Sequence, residues 1–156
     1  MKSIVFLCYF ISLQVFSCND IDSHRAILND IKYSQIFIDF VEEKEICTDL
    51  TVSGYLYDFC FVGSVFVFDY PDISDYVNEN CFGENTPINK KFKEFEKLSD
   101  SDKACLKVYI TEVYNNKVAV EITPENWRIN ERIIYLYEIF PDKSVKKLKE
   151  MVLIVE

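Results

Sequence analysis

Hydrophobic positions change their spacing several times along this chain, and each change marks a different element. Residues 4–16 form an uncharged, mostly apolar block behind the single charge of Lys2. From residue 23 the apolar positions fall at helical intervals: Ile27, Leu28 and Ile31, then Ile36, Phe37, Phe40 and Val41, closed by Glu42, Glu43, Lys44 and Glu45. That spacing predicts one or two helices over 23–43, with the Ser23 hydroxyl as N-cap and His24 exposed in the capping turn. Between Thr51 and Tyr70 the pattern turns strand-like, because Tyr55, Tyr57, Phe59 and Phe61 alternate with Leu56, Asp58 and Cys60 before Val65, Phe66, Val67 and Phe68. The expectation is a hairpin turning at Val62-Gly63-Ser64, or one bent strand with Gly63 at a bulge. A short helix over 73–80 follows, with Asp72 as N-cap. Thr86-Pro87 then opens a longer one reaching Leu98, with Ile88, Phe92 and Phe95 on its apolar face and Lys90, Lys91, Lys93, Glu94, Glu96 and Lys97 on the other.

From Cys105 the period becomes two. Residues 107–114 and 117–122 flank Asn115-Asn116, a pair suited to the positive φ angles of a two-residue type I′ turn. The register that follows sets Val113 opposite Val118, Thr111 opposite Val120 and Tyr109 opposite Ile122 on one apolar face. Residues 133–140 and 145–155 make a second hairpin around Pro141-Asp142-Lys143-Ser144. The sum is an α+β domain with an antiparallel sheet covered on one face by helices. A helix-first chain that ends in long antiparallel hairpins resembles the NTF2-like and cystatin-like folds, which host many activities and so imply none in particular. With Gly 3 and Pro 4 there is no linker composition, so residues 23–156 are expected to form a single domain.

The opening block carries the clearest targeting information. Thirteen uncharged residues, Ile4 to Phe16, are too short to cross ~30 Å of hydrocarbon but suit the core of an export signal. Val15-Phe16-Ser17-Cys18 resembles a relaxed lipobox, and with the following Asn19-Asp20 it is similar to the signals of Bacteroidetes lipoproteins. That resemblance implies removal of residues 1–17, a lipid on Cys18, an acidic tether over 18–22, and attachment to the outer membrane or cell surface. Cysteine usage agrees: of six, Cys8 leaves with the signal, a lipid takes Cys18, and Cys47, Cys60, Cys81 and Cys105 remain as disulfide candidates with three possible connectivities.

Composition narrows the function classes. Hydrophobic residues at 49% and aromatics at 15% exclude a disordered chain. The net charge is −9 and becomes −10 once Lys2 is removed with the signal, a balance that repels nucleic acid and favours a basic protein partner, as in immunity-type proteins. Trp127, Tyr135 and Tyr137 are the candidate residues for stacking a sugar in a carbohydrate-binding module. Asp69 and Asp72 are the candidate paired carboxylates for a hydrolase, and with Asp75 they could begin a Ca²⁺ loop, but their spacing lacks the alternation and glycine of an EF-hand. With one histidine, no C-x-x-C pair and no glycine-framed serine, the chain is read as a non-enzyme without metal or cofactor. A secreted eukaryotic or viral interaction protein is the alternative. No asparagine opens an N-x-Ser/Thr triplet, which counts against a glycosylated secretory origin.

Overall fold

Helices and strands interleave in an order that places a six-stranded sheet between two helical layers. The computed structural model describes residues 21–82, 90–101, 103–126 and 128–155. Helices α1 (Ile21–Lys32) and α2 (Gln35–Glu43) precede strand β1 (Leu50–Tyr57), which is followed by α3 (Cys60–Gly63), a 3₁₀ turn (Ser64–Phe66) and α4 (Pro71–Asn80). Strand β2 (Lys90–Lys91) and a 3₁₀ segment (Lys93–Leu98) lead to β3 (Leu106–Thr111), β4 (Lys117–Pro124), β5 (Glu131–Ile139) and β6 (Val145–Ile154). The sheet order is β2-β1-β3-β4-β5-β6, antiparallel throughout except between β1 and β3. This is a mixed α and β fold built on an open, mostly antiparallel sheet.

Two cores form, one on each sheet face. Ile27, Leu28, Ile31, Phe37, Phe40 and Val41 of α1 and α2 bury against Val108, Ile110, Val120, Ile122 and Ile133 of the sheet. Phe59, Val62, Phe66, Ile73 and Val77 bury on the opposite face against Ala119, Ile134 and Leu136. The expected single helical layer is therefore corrected to two. Residues 60–66, expected as strand, are helical. Val62 and Phe66 bury against the sheet while Phe61 rests on Tyr57 and Tyr109, and a short continuous apolar run has no period that separates buried helix from buried strand. Local chemistry then decides: Asp58 Oδ1 accepts from the Cys60 backbone N–H at 2.8 Å and opens the turn. Gly63 lies at φ −60°, so it supplies no positive φ. It supplies room, since a Cβ there would fall 2.2 Å from the Phe59 ring.

The same segment opens the crossover behind the parallel pair. Parallel strands need a crossover of a dozen or more residues, and the connection from β1 to β3 runs through α3 and α4 on one face, β2 at the sheet edge and the 3₁₀ segment on the other face. Residues 90–92 also depart from the expected helix, whereas 93–98 are helical as a 3₁₀ segment. Lys90 and Lys91 pair with Leu56 and Tyr55, and Phe92 N–H donates to the Gly54 carbonyl at 2.8 Å, so the outer edge of β1 draws this segment into extended backbone. Phe95 nevertheless becomes fully buried, as an apolar-face residue should. The remainder of that expected helix, residues 86–89, lies outside the described residues.

The β3–β4 hairpin forms at Asn115-Asn116, with φ of 45° and 60°. Its register differs from expectation by one residue: Tyr114 bridges Lys117, yet further along Ile110 pairs with Val120 and Val108 with Ile122. Thr111 accounts for the offset. Its hydroxyl accepts from Ala119 N–H and donates to the Glu112 carbonyl, both at 3.0 Å, filling the irregularity between ladder and turn. A one-residue shift exchanges faces, so Val108 and Ile110 enter the core where Tyr109 was expected. The β5–β6 hairpin turns through residues 140–144 as expected, with Lys143 at φ 69°.

Helix α1 starts before Ser23, which places Ser23 and His24 inside it instead of at its cap. His24 is fully buried with its ring 4.7 Å from that of Phe95, a correction to its expected exposure. The cap at the second helix is Ser34, whose Oγ accepts from Phe37 N–H. Two disulfides resolve the connectivity: Cys47–Cys105 ties the segment after α2 to the start of β3, and Cys60–Cys81 ties α3 to the end of α4.

Candidate functional site

A groove of about 710 Å³ lies between the end of α1, the outer face of α2 and the segment that returns to β1. Phe37, Ile38, Val41 and Ile46 contribute its apolar lining, and Glu42, Glu45, Asp49 and Asp100 its carboxylates, against one lysine, Lys32. Tyr33, in the break between α1 and α2, stands beside it 85% exposed.

Local sequence builds this shape. Tyr33-Ser34 interrupts the helical run, and the Ser34 cap restarts it as α2. The far end of α2 closes in a Schellman motif: Ile46 N–H donates to the Val41 carbonyl and Glu45 N–H to the Glu42 carbonyl, with Glu45 at φ 52°. Ile46 packs back onto the core, and Cys47 is bonded to Cys105, so the wall carrying Glu45 is held at both ends.

Charge is distributed unevenly over this surface. Lys32 Nζ lies 2.6 Å from both oxygens of Asp100, and Asp100 Oδ2 also accepts from Leu50 N–H at 3.0 Å. That pair belongs to the wall itself. Lys44 turns to Glu131 at 2.6 Å and Glu43 at 2.9 Å, and these bonds, Glu131's first, raise its pKa above the ordinary lysine value. Glu42, Glu45 and Asp49 remain as exposed carboxylates on the groove.

The residues singled out by sequence are dispersed. Tyr135 and Tyr137 are fully buried in the α1/α2 core, which corrects their assignment as surface stacking residues. The Tyr135 hydroxyl is 3.0 Å from Ser34 Oγ, and the Tyr137 hydroxyl donates to Asp30 Oδ2 at 2.7 Å, so both brace the sheet against the helices. Burial raises both phenols above their ordinary pKa, and for Tyr137 the Asp30 carboxylate adds to it. Trp127 and Cys18 lie outside the described residues. Asp69 pairs with Lys149 at 2.6 Å, and Asp72, in the first turn of α4, pairs with Lys117 at 2.6 Å. Burial pulls the Asp72 carboxyl upward, but the Lys117 ammonium and further hydrogen bonds outweigh it and hold it below the usual value. Both aspartates therefore fasten α4 and its approach to the sheet.

A second half-open surface is aromatic: Tyr57 and Phe61 stack at 4.8 Å, Tyr109 meets Tyr57 edge-on at 5.2 Å, and Lys107 lies over Tyr109. These rings pack on one another. Among the described residues no group of three or more His, Cys, Asp or Glu is placed to hold a metal ion, and no helix is long and apolar enough to cross a membrane. The groove leaves one usable signal in the sequence, a bulky tyrosine breaking a helical run just ahead of a serine cap at Tyr33-Ser34. Comparisons with the patterns of protein families, with curated proteins and with solved structures found no significant match for this chain.

Proposed function

We propose that this chain is an exported, non-catalytic protein that is held at the outer membrane or cell surface by a lipid on Cys18 and binds a basic protein partner. The observation that carries the reading is the pair of disulfides, Cys47–Cys105 and Cys60–Cys81. Structural disulfides belong to oxidising compartments, which supports the export signal read from residues 1–17. By count these four cysteines leave Cys8, within the signal, and Cys18, the residue that a lipoprotein pathway acylates. Two or more acyl chains are enough for stable attachment without a basic patch, and the net charge of −9 is consistent with a domain that does not rely on anionic headgroups.

Acidity also supports the choice of partner. Opposite charge accelerates association and selects among partners more than it adds affinity. The element order, helices first and long antiparallel hairpins last, supports comparison with the NTF2-like and cystatin-like plans, and the α3/α4 layer is an addition to the expected single helical layer.

Cell fractionation tests the anchoring. The natural chain should sediment with membranes and Cys18→Ser should move to the soluble exported fraction. Equal distribution of the two would refute lipid attachment.

A further inference from the structure

The groove between α1 and α2 has the features of a peptide-docking site, and we propose that it receives a cationic segment of the partner protein, one that presents an apolar side chain between arginines or lysines. This rests on the reading of the chain as a binder of a basic protein. Its volume of about 710 Å³ lies within the ~300–1,000 Å³ typical of ligand sites. An apolar floor of Ile38, Val41 and Ile46 suits an aliphatic side chain, and exposed Glu42, Glu45 and Asp49 suit the flanking cations. Charge complementarity selects this occupant, because the lysine on the groove is already held at 2.6 Å by Asp100. An anionic or neutral segment would leave Glu42, Glu45 and Asp49 without counter-charge.

Rigidity adds to the case for docking. The wall is fixed by the Ile46 and Glu45 backbone bonds at the end of α2 and by the Cys47–Cys105 disulfide, so little ordering is required on binding. Glu45 occupies the left-handed position of the motif, where glycine carries no steric penalty. A glutamate there places a carboxylate on the groove at the expense of helix-end stability.

The experiment is a fluorescence-anisotropy titration of the disulfide-bonded protein with a labelled peptide of alternating leucine and arginine. A serine/arginine peptide and a leucine/glutamate peptide serve as controls. The leucine/arginine peptide should bind, lose affinity as salt is raised, and lose ~10-fold or more in Glu42→Gln/Glu45→Gln. Asp75→Asn/Glu79→Gln removes two exposed charges from α4 on the opposite face and should leave binding unchanged. The serine/arginine peptide should bind more weakly and the leucine/glutamate peptide not at all. Equal weakening in the two double variants would overturn the groove while sparing the basic-partner reading. No binding of the leucine/arginine peptide at low salt would overturn both. Glu45→Gly separates folding from binding, since it should fold more stably and still bind less; unchanged binding there contradicts a role for Glu45.

Discussion

Glu45 shows how one residue can set two demands against each other. At φ 52° its side chain is crowded by its own backbone, and the left-handed region costs a non-glycine residue ~1–2 kcal/mol. Glu45→Gly should therefore raise the free energy of unfolding by roughly 1 kcal/mol in urea. Gly63 in α3 and Gly54 in β1 make a second comparison. A Cβ at Gly63 would meet the Phe59 ring at 2.2 Å, inside a packed core, whereas at Gly54 it would meet the end of the Glu96 side chain at 2.5 Å. The Phe59 ring cannot move away but the Glu96 carboxylate can. Gly63→Ala is thus expected to destabilise by ~1–3 kcal/mol and Gly54→Ala by less, measured by chemical denaturation. Tyr135 and Tyr137 bear on pH. Their phenols ionise later in the folded chain than in the unfolded one, so the stability they contribute is intact below about pH 10 and is lost as pH rises past it. Tyr135→Phe/Tyr137→Phe should be less stable at neutral pH but lose less of its remaining stability at about pH 11.

At the scale of elements, the hairpins and the disulfides carry separate expectations. Asn115 and Asn116 hold φ of 45° and 60°, so Asn115→Val should cost about 1–2 kcal/mol whereas Asn116→Gly should be neutral or stabilising. The disulfides close separations of 58 and 21 residues, for which loop-closure entropy gives about 4 and about 3 kcal/mol. Cys47→Ser/Cys105→Ser should therefore lower stability at least as much as Cys60→Ser/Cys81→Ser, and thermal unfolding under non-reducing conditions measures it. The last four strands were legible because their period-two pattern and turn residues lie close together in sequence. Thr111 was not, because a side chain that bonds the neighbouring ladder shifts register without leaving a mark on the pattern. Residues 60–66 and 90–92 misled for one shared reason: their conformation is set by distant partners, α4 and the sheet for the first, β1 for the second. Among the candidate site residues the cysteines were legible as disulfide formers, and their pairing was not. The groove was hidden because Tyr33, Glu45 and Asp100 belong to three connections that only the fold brings together.

Over the whole molecule, two helical layers enclose the sheet, one disulfide ties the segment after α2 to the start of β3 and the other closes the α3/α4 layer on itself, and the acidic surplus is borne at the surface. This arrangement is consistent with the role proposed above, a domain outside the cytoplasm that binds a partner. The central claim, an oxidised domain tethered through Cys18, is tested most directly by the intact mass of the protein isolated from its own cells and alkylated without reductant. The account requires an N-terminus at Cys18 carrying acyl mass, and no alkylation of Cys47, Cys60, Cys81 or Cys105. A chain that still bears residues 1–17 with alkylated thiols at those four positions would contradict it.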